Sequence, residues 1–500
     1  MNPSRDVATD PVDAYLHWGL DTEFRHFFPG FPQVGNDKRK ISLLIEWKSI
    51  EAARVALAVC ERHHADVPSV YAGNGETRPL LTWAVAVPLN EIADFVTESM
   101  DLAFAIELAE PVGGQGTLEP KLVRAAQSTA STLFAVLDDG CAFANTRFRS
   151  QDGSTRLLAI WNQDPEAAGY PVVSSMGPTP LTSFNYGAQW FREDLDNMIA
   201  TAQGSQEKIY EAAGLPTLRR SAMHGSHVMD LLCGGLESDF DIVFVQFPPD
   251  ALDDPSGRWL RRYALDGLHY ILQHAGPQTS KIIVNLSWGP QTGPRDGTSV
   301  LEREIERLVN DQAGRLFVTL PAGNSFDASA HAEVAYATGA RLDWVLPPDG
   351  HAPAFFEVRW PPDVPPQAAK LEITPPGGAP TSVTPGPVTN LGNWYARVRT
   401  IGKSTKVLVV VHPTEASGGQ APGKHGRWLL NFPAGTPGLG GEIHVNVARA
   451  DHNMGARRRA KASRLADEAF DTGRRLLPPG ERYAEIVQSS IRRRGTLNGI

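Results

Sequence analysis

The sequence runs to 500 residues, 42% hydrophobic and 21% charged, with a formal net charge of -9. That is ordinary globular composition, too long for one core and so divided into roughly two to four domains. The acidic balance argues against a nucleic-acid binder driven by phosphate contacts, three widely spaced cysteines (Cys60, Cys141, Cys233) imply no disulfide framework, and no run of about 18 apolar residues offers a membrane span.

The N-terminus, MNPSRDVATDPVDAYLHWGL, has no basic segment followed by an apolar one. No signal peptide is read, and a cytoplasmic protein is expected, or a secreted one if the true start lies upstream. Residues 1–36 are polar and punctuated by proline, with aromatic residues at Trp18, Phe24, Phe27, Phe28 and Phe31. They predict an irregular arm that packs on something. Residues 37–110 predict a small α+β domain. ISLLIEW (41–47), LLTWAVAV (80–87) and LAFAIELA read as strands, SIEAARVALAVCERHH as a helix capped by Ser49, and NEIADFVTESM as a second helix. A Gly/Pro-rich linker, EPVGGQGTLEP, follows.

From 120 to 335 the pattern is α/β. Strands are expected at TLFAVLDDG (132–140), TRLLAIWNQD, within SDFDIVFVQFPP near 241–247, at KIIVNLSWG and at RLFVTLPAGN. Helices are expected over 189–213, in the amphipathic run GRWLRRYALDGLHYILQHAG and in TSVLEREIERLVNDQ. Apolar strands alternating with helices argue for a doubly wound parallel sheet. Between 340 and 450 the helices give way to AFFEVRW, AKLEIT, WYARVRT, KVLVVVH, RWLLNF and EIHVNVA, separated by Pro/Gly/Ser turns. This is the pattern of an all-β sandwich, read as an inserted packing or substrate-access domain. Residues 451–500 look helical at RRRAKASRLADEAFDTGRR and read as a return to the α/β domain. Their charge is reversed, with 11 Lys and Arg against 6 Asp and Glu, including the runs 457–459 and 492–494. A solvated helix face is the expected reading, with a partner-binding patch as the alternative.

Catalytic groups gather beyond the carboxyl ends of strands in open parallel sheets. VLDDG puts Asp138 and Asp139 there, NLSWG puts Ser287, Trp288 and Gly289 there, and LPAGN puts Asn324 there. MHGSHVMDLLCGG opens a helix with His224. A hydroxyl nucleophile needs a base, imidazole has a pKa suited to the task, a carboxylate fixes its tautomer, and an amide can stabilise an oxyanion. Other readings exist for each part. His227 is assigned to packing. An H-x-x-H zinc pair would need further ligands, with Cys233 the nearest candidate. Asp138 alone could be a cap, and Asn324 a turn residue beside Gly323.

AVLDDGCAFAN, HGSHVMDLL, NLSWG and LPAGN, in that order, resemble the Asp, His, substrate-strand and oxyanion-Asn segments of the subtilisin-like serine peptidases. The resemblance implies that Asp138 orients the histidine, His224 is the general base, Gly225 lets the helix start approach the sheet, and Asn324 donates to the oxyanion. It implies that Ser287, Trp288 and Gly289 form an edge pairing with a polypeptide substrate in extended conformation. Trp288 is bulkier, and Met229-Asp230 less small, than the family's usual residues. The implied fold is α/β: a subtilisin-like parallel sheet flanked by helices, an N-terminal α+β propeptide-like domain packed on it, and the inserted sandwich. No cofactor, metal, nucleic-acid or membrane partner is implied.

The family's Gly-Thr-Ser nucleophile segment has no counterpart after Asn324. Ser299, in DGTSVLEREIE, precedes Asn324 and forms a capping box with Glu302 instead. The expectation is an N-terminal portion of a longer peptidase, inactive as given. The alternative is a pseudoprotease acting as a peptide-binding or regulatory module. A nucleotide-binding protein is disfavoured, since neither glycine-rich phosphate motif occurs.

Overall fold

The computed structural model describes residues 10–24, 40–73, 78–113, 126–164, 179–180, 184, 186–201, 206–212, 223–252, 257–290, 292–293, 297–321, 329–350, 352–384, 389–390, 392–401, 404–415, 421–448 and 463–466. Asn324, Phe27, Phe28, Phe31 and the arginine runs at 457–459 and 492–494 lie outside them. No helix among the described residues is long and apolar enough to cross a membrane, and Cys60, Cys141 and Cys233 are free and buried.

The first described element is α1 (Ala14–Asp21), within the arm expected to be irregular. Asp13 caps it by accepting the Leu16 N–H at 2.7 Å. So short a helix is marginal alone; burial of Leu16 and Trp18 holds it in place. Strands β1 (Lys40–Trp47), β2 (Thr82–Pro88) and β3 (Ala103–Gly113) form an antiparallel sheet in the order β2-β1-β3. The helices α2 (Ile50–Arg62), α3 (Ser69–Ala72) and α4 (Ile92–Ser99) accompany it. Ser49 caps α2 as expected, accepting the Ala52 N–H.

The central sheet contains β4 (Thr132–Asp138), β5 (Leu157–Asn162), β6 (Thr179–Pro180), β7 (Ala188–Phe191), β8 (Phe240–Gln246), β9 (Lys281–Leu286) and β10 (Leu316–Thr319). Its order is β10-β9-β4-β8-β5-β7-β6. The strands from β10 to β5 are parallel, but β7 runs antiparallel to β5, and β6 in turn antiparallel to β7. The sheet is therefore mixed: the expected parallel part spans the five strands from β10 to β5, with β7 and β6 added beyond it. Residues 189–213 also do not form one helix. They begin in β7, where Ala188 and Trp190 are buried against β5, and continue as α5 (Arg192–Thr201) and α6 (Gln206–Ala212). Gly187 makes the turn at φ +77°; a Cβ there would sit 2.4 Å from the Asn162 carbonyl oxygen. Helices α7 (His224–Cys233), α8 (Pro249–Leu252), α9 (Leu260–His274) and α10 (Val300–Asp311) complete this part. The capping box between Ser299 and Glu302 starts α10.

Every residue of α9 except Leu272 and Gln273 is buried, so it is enclosed rather than half exposed as an amphipathic helix would be. Leu260, Ala264, Leu268 and Ile271 pack on the central sheet. Two of its polar residues meet the N-terminal sheet: Arg261 pairs with Glu107 at 2.6 Å and Arg262 donates to Ser42 Oγ at 2.6 Å.

The remaining strands are β11 (His331–Ala335), β12 (Ala340–Leu346), β13 (Ala354–Arg359), β14 (Leu371–Thr374), β15 (Thr381–Val383), β16 (Thr389–Asn390), β17 (Trp394–Ile401), β18 (Ser404–Val411), β19 (Gly426–Phe432), β20 (Glu442–Val447) and β21 (Arg464–Leu465). They form two antiparallel sheets, β11-β20-β13-β18-β17-β16 and β15-β14-β19-β12-β21, around a core containing Trp344, Trp360, Trp394 and Trp428. Residues 464–465, expected to be helical and to return to the α/β part, instead pair with β12. Burial of Leu465 and the bonds from its N–H to Ser329 O and from Ala466 N–H to Asp343 O override local propensity. On the outer face of the six-stranded sheet, Tyr15 of α1 donates to Glu357 at 2.6 Å, and the Arg258 guanidinium lies over the Tyr15 ring.

Candidate functional site

Strand alternation sets the site. Leu133, Ala135 and Leu137 of β4 face α9, while Phe134 and Val136 face α7 with Met229 and Cys233. Asp138 has the parity of the second set, so the last residue of β4 points its carboxylate to the α7 side. Strands β8 and β9 flank β4, with β5 reached across β8 and β10 across β9. The carboxyl end of β4 is thus the point where successive connections diverge, the place where such sheets leave a crevice.

Helix α7 begins at His224, and Met223 provides no side-chain cap. Asp139 supplies it from the neighbouring strand end: its Oδ2 accepts the His224 N–H at 3.2 Å and its Oδ1 the Gly225 N–H at 2.8 Å. A carboxylate at a helix N-terminus satisfies orphan donors and complements the dipole. Gly225 allows the close approach, since a Cβ there would lie 2.7 Å from Asp138 Cβ and 2.8 Å from the Gly140 carbonyl oxygen. Ser226 adds a clamp, donating to Gly140 O and accepting the Ala142 N–H.

His224 Nδ1 stands 2.9 Å from both oxygens of Asp138. A carboxylate only accepts, so Nδ1 carries the proton and the lone pair lies at Nε2. Asp138 is wholly buried, whereas the His224 side chain is 48% exposed. Among the described residues nothing hydrogen-bonds to Nε2. Asp138 Oδ1 also accepts the Asp139 N–H at 2.8 Å and the Trp288 indole N–H at 3.0 Å. The Trp288 ring stands edge-on to His224, centroids 6.0 Å apart. The hydrogen bond to Asp138 raises the His224 pKa above its ordinary value; burial opposes this and the charges of Asp138 and Asp139 reinforce it. Burial also raises Asp139, against the pull of the Gly225 N–H.

Asp138, His224 and Trp288 are therefore brought together. Ser287 and Gly289 follow the end of β9 and pair with no other strand among the described residues. Ser287 Oγ donates to Asn285 Oδ1 at 2.6 Å, and Asn285 donates to Thr319 Oγ1 at 3.0 Å, tying β9 to β10. Strand β10 leads toward Asn324, whose position is not described. His227 is exposed rather than packed. Cys233 is buried with its thiol on the Met229 carbonyl, so it does not join the two histidines as a ligand set. Met229 packs on Cys141, and Asp230 pairs with Arg147. Two contributions were not foreseen. The Asp138-Asp139 doublet could have suggested the cap on α7; nothing local to Trp288 indicated its bond to Asp138.

A half-exposed imidazole with its tautomer fixed and its far nitrogen not hydrogen-bonded among the described residues can take and return a proton. No family model matches the sequence, and no curated protein does. Among solved structures the fold is similar to that of the Clostridium perfringens CspB protease, with a TM-score of 0.50 and 16% identity. The match covers 68% of this chain and 64% of that one, so the chain spans under two thirds of that protease. The likeness is one of fold.

Proposed function

We infer that this chain carries the acid–base machinery of a subtilisin-like serine endopeptidase. In this reading His224 Nε2 takes the proton of an attacking hydroxyl and passes it to the leaving amine, while Asp138 holds the tautomer and offsets the imidazolium charge. Asn324 donates its side-chain amide to the oxyanion. The unpaired stretch Ser287–Gly289 receives an extended polypeptide by main-chain hydrogen bonding. The nucleophile is not assigned to a residue of this chain. The observation that carries the reading is a wholly buried carboxylate with both oxygens on Nδ1 of a half-exposed imidazole.

A peptidyl chloromethyl ketone tests this without a serine, because it alkylates the nucleophilic nitrogen of a base held beside a bound peptide. The expected result is saturable alkylation of His224 at Nε2, slowed by competing peptide, with His227 spared. Asp138→Asn can place the ring proton on Nε2 and should slow alkylation about tenfold or more. Equal labelling of the two histidines, or labelling that does not saturate, refutes the reading. A fluorophosphonate used in parallel would reveal any activated serine.

A further inference from the structure

The outer face of the six-stranded sheet carries a second cluster of reactive side chains. Ala332 and Val334 of β11, and Ile443 and Val445 of β20, point into the sandwich core. Alternation therefore puts His331, Glu333, His444 and Asn446 together on the opposite face. Antiparallel register sets Glu333 across from His444 and His331 across from Asn446. His444 Nδ1 lies 3.5 Å from Glu333 Oε1, and the His331 and His444 rings stack with centroids 5.8 Å apart. One donor atom from each of His331, Glu333 and His444 lies within 4.8 Å of the other two.

A histidine ring nitrogen is the commonest side-chain ligand for metal ions. With one carboxylate, the set is convergent and carries one negative charge. Bonds of about 2.0–2.2 Å to a tetrahedral ion would put its donors roughly 3.3–3.6 Å apart, so modest side-chain rotation closes the set. The sheet fixes all three residues on rigid backbone. His331 is 5% exposed, while the His444 side chain remains 20% exposed, which leaves a path for an ion. Asn446 is also buried, and its Oδ1 has no hydrogen-bond partner among the described residues. An oxygen so placed lacks the satisfaction that buried polar atoms normally find, and a cation beside His331 would provide it.

We propose that His331, Glu333 and His444 bind a divalent transition-metal ion, zinc foremost given two imidazoles and a carboxylate. Strand β11 is the edge of its sheet, so the ion ties an edge strand to its inner neighbour. The competing arrangement is a metal-free one. Arg359 of β13 is in register with His444 on the same face and is a cation able to compensate Glu333.

The test uses the full chain, stripped with a chelator and titrated with Zn²⁺ by calorimetry and with Co²⁺ by visible absorption. The expected result is one ion per chain, cobalt d–d bands, and a higher unfolding temperature on zinc addition. Glu333→Gln and His444→Gln should each weaken binding about a hundredfold or more, with unchanged circular dichroism as the folding control. His227→Gln should leave binding intact, separating this site from adventitious capture at the H-x-x-H pair. No binding by the wild type, binding indifferent to Glu333→Gln and His444→Gln, or binding seen only in Arg359→Gln would each overturn the assignment.

Discussion

Asp138, at the tip of β4, and Asp266, midway along α9, are both wholly removed from water. Their surroundings differ. Asp266 accepts hydrogen bonds from Tyr71 and Tyr186 and lies 3.5 Å from Arg262 Nε, and all three partners are themselves buried. Burial raises its pKa, with Arg262 pulling the other way. Asp138 has two half-buried donors, and its third partner is an imidazole that reaches solvent. Burial alone does not make a carboxylate functional. A closed set of partners ties helix α9 to α3 and to the segment before β7; a set with one open member can pass a proton.

The sharpest way to break this comparison is to remove Asp266. Asp266→Ala removes the carboxylate beside Arg262 and the acceptor of two tyrosine hydroxyls, a loss expected to cost about 3–5 kcal/mol. The urea midpoint of unfolding should fall accordingly. A cost under about 1 kcal/mol would mean that the interface does not depend on this network. Next in size is Gly225→Ala. Its methyl group would collide with Asp138 Cβ and the Gly140 carbonyl, forcing α7 off β4 at a cost of about 1–3 kcal/mol. The raised His224 pKa should be lost at the same time, which an exposed-loop effect would not produce.

The same contrast explains what could be read from the sequence. Uninterrupted apolar runs such as LFAVL (133–137) and IVFV (242–245) announce buried strands because each residue meets a packed face on both sides. The polar residues that follow them mark the functional edge. The buried stripe of α9 was not legible, because the partners of Arg261 and Arg262, namely Glu107 and Ser42, are far away in sequence and look like ordinary exposed residues. Strand β7 is four residues at the head of a helix-like run, and β21 is two residues held by an edge. Neither is long enough for periodicity to register. His331 and Glu333 alternate as a strand should, but His444 joins them only through register.

Trp288→Phe sharpens the open half of the comparison. It deletes the indole donor to Asp138 Oδ1 and keeps most of the packing, at a cost of about 0.5–1.5 kcal/mol. With one donor fewer the carboxylate has more negative charge to offer the imidazolium, so the His224 pKa should rise further, as followed by NMR titration of its ring protons. A pKa that does not move would show that the indole bond does not tune the pair.

The smallest effect is the most specific. The folded pKa of His224 lies above its ordinary 6.5, chiefly through its bond to Asp138. A histidine with a raised folded pKa stabilises the fold fully below its unfolded pKa and loses that contribution as pH rises through the folded one. Because the ring is half exposed, solvent screening keeps this part to about 0.2–1 kcal/mol. Asp138→Asn should bring the His224 pKa down and flatten the corresponding slope of stability against pH, while Asp266→Asn should leave His224 untouched. Urea midpoints compared below and above the histidine range measure the slope. If both variants flatten it alike, the two carboxylates are not the separate devices their surroundings suggest.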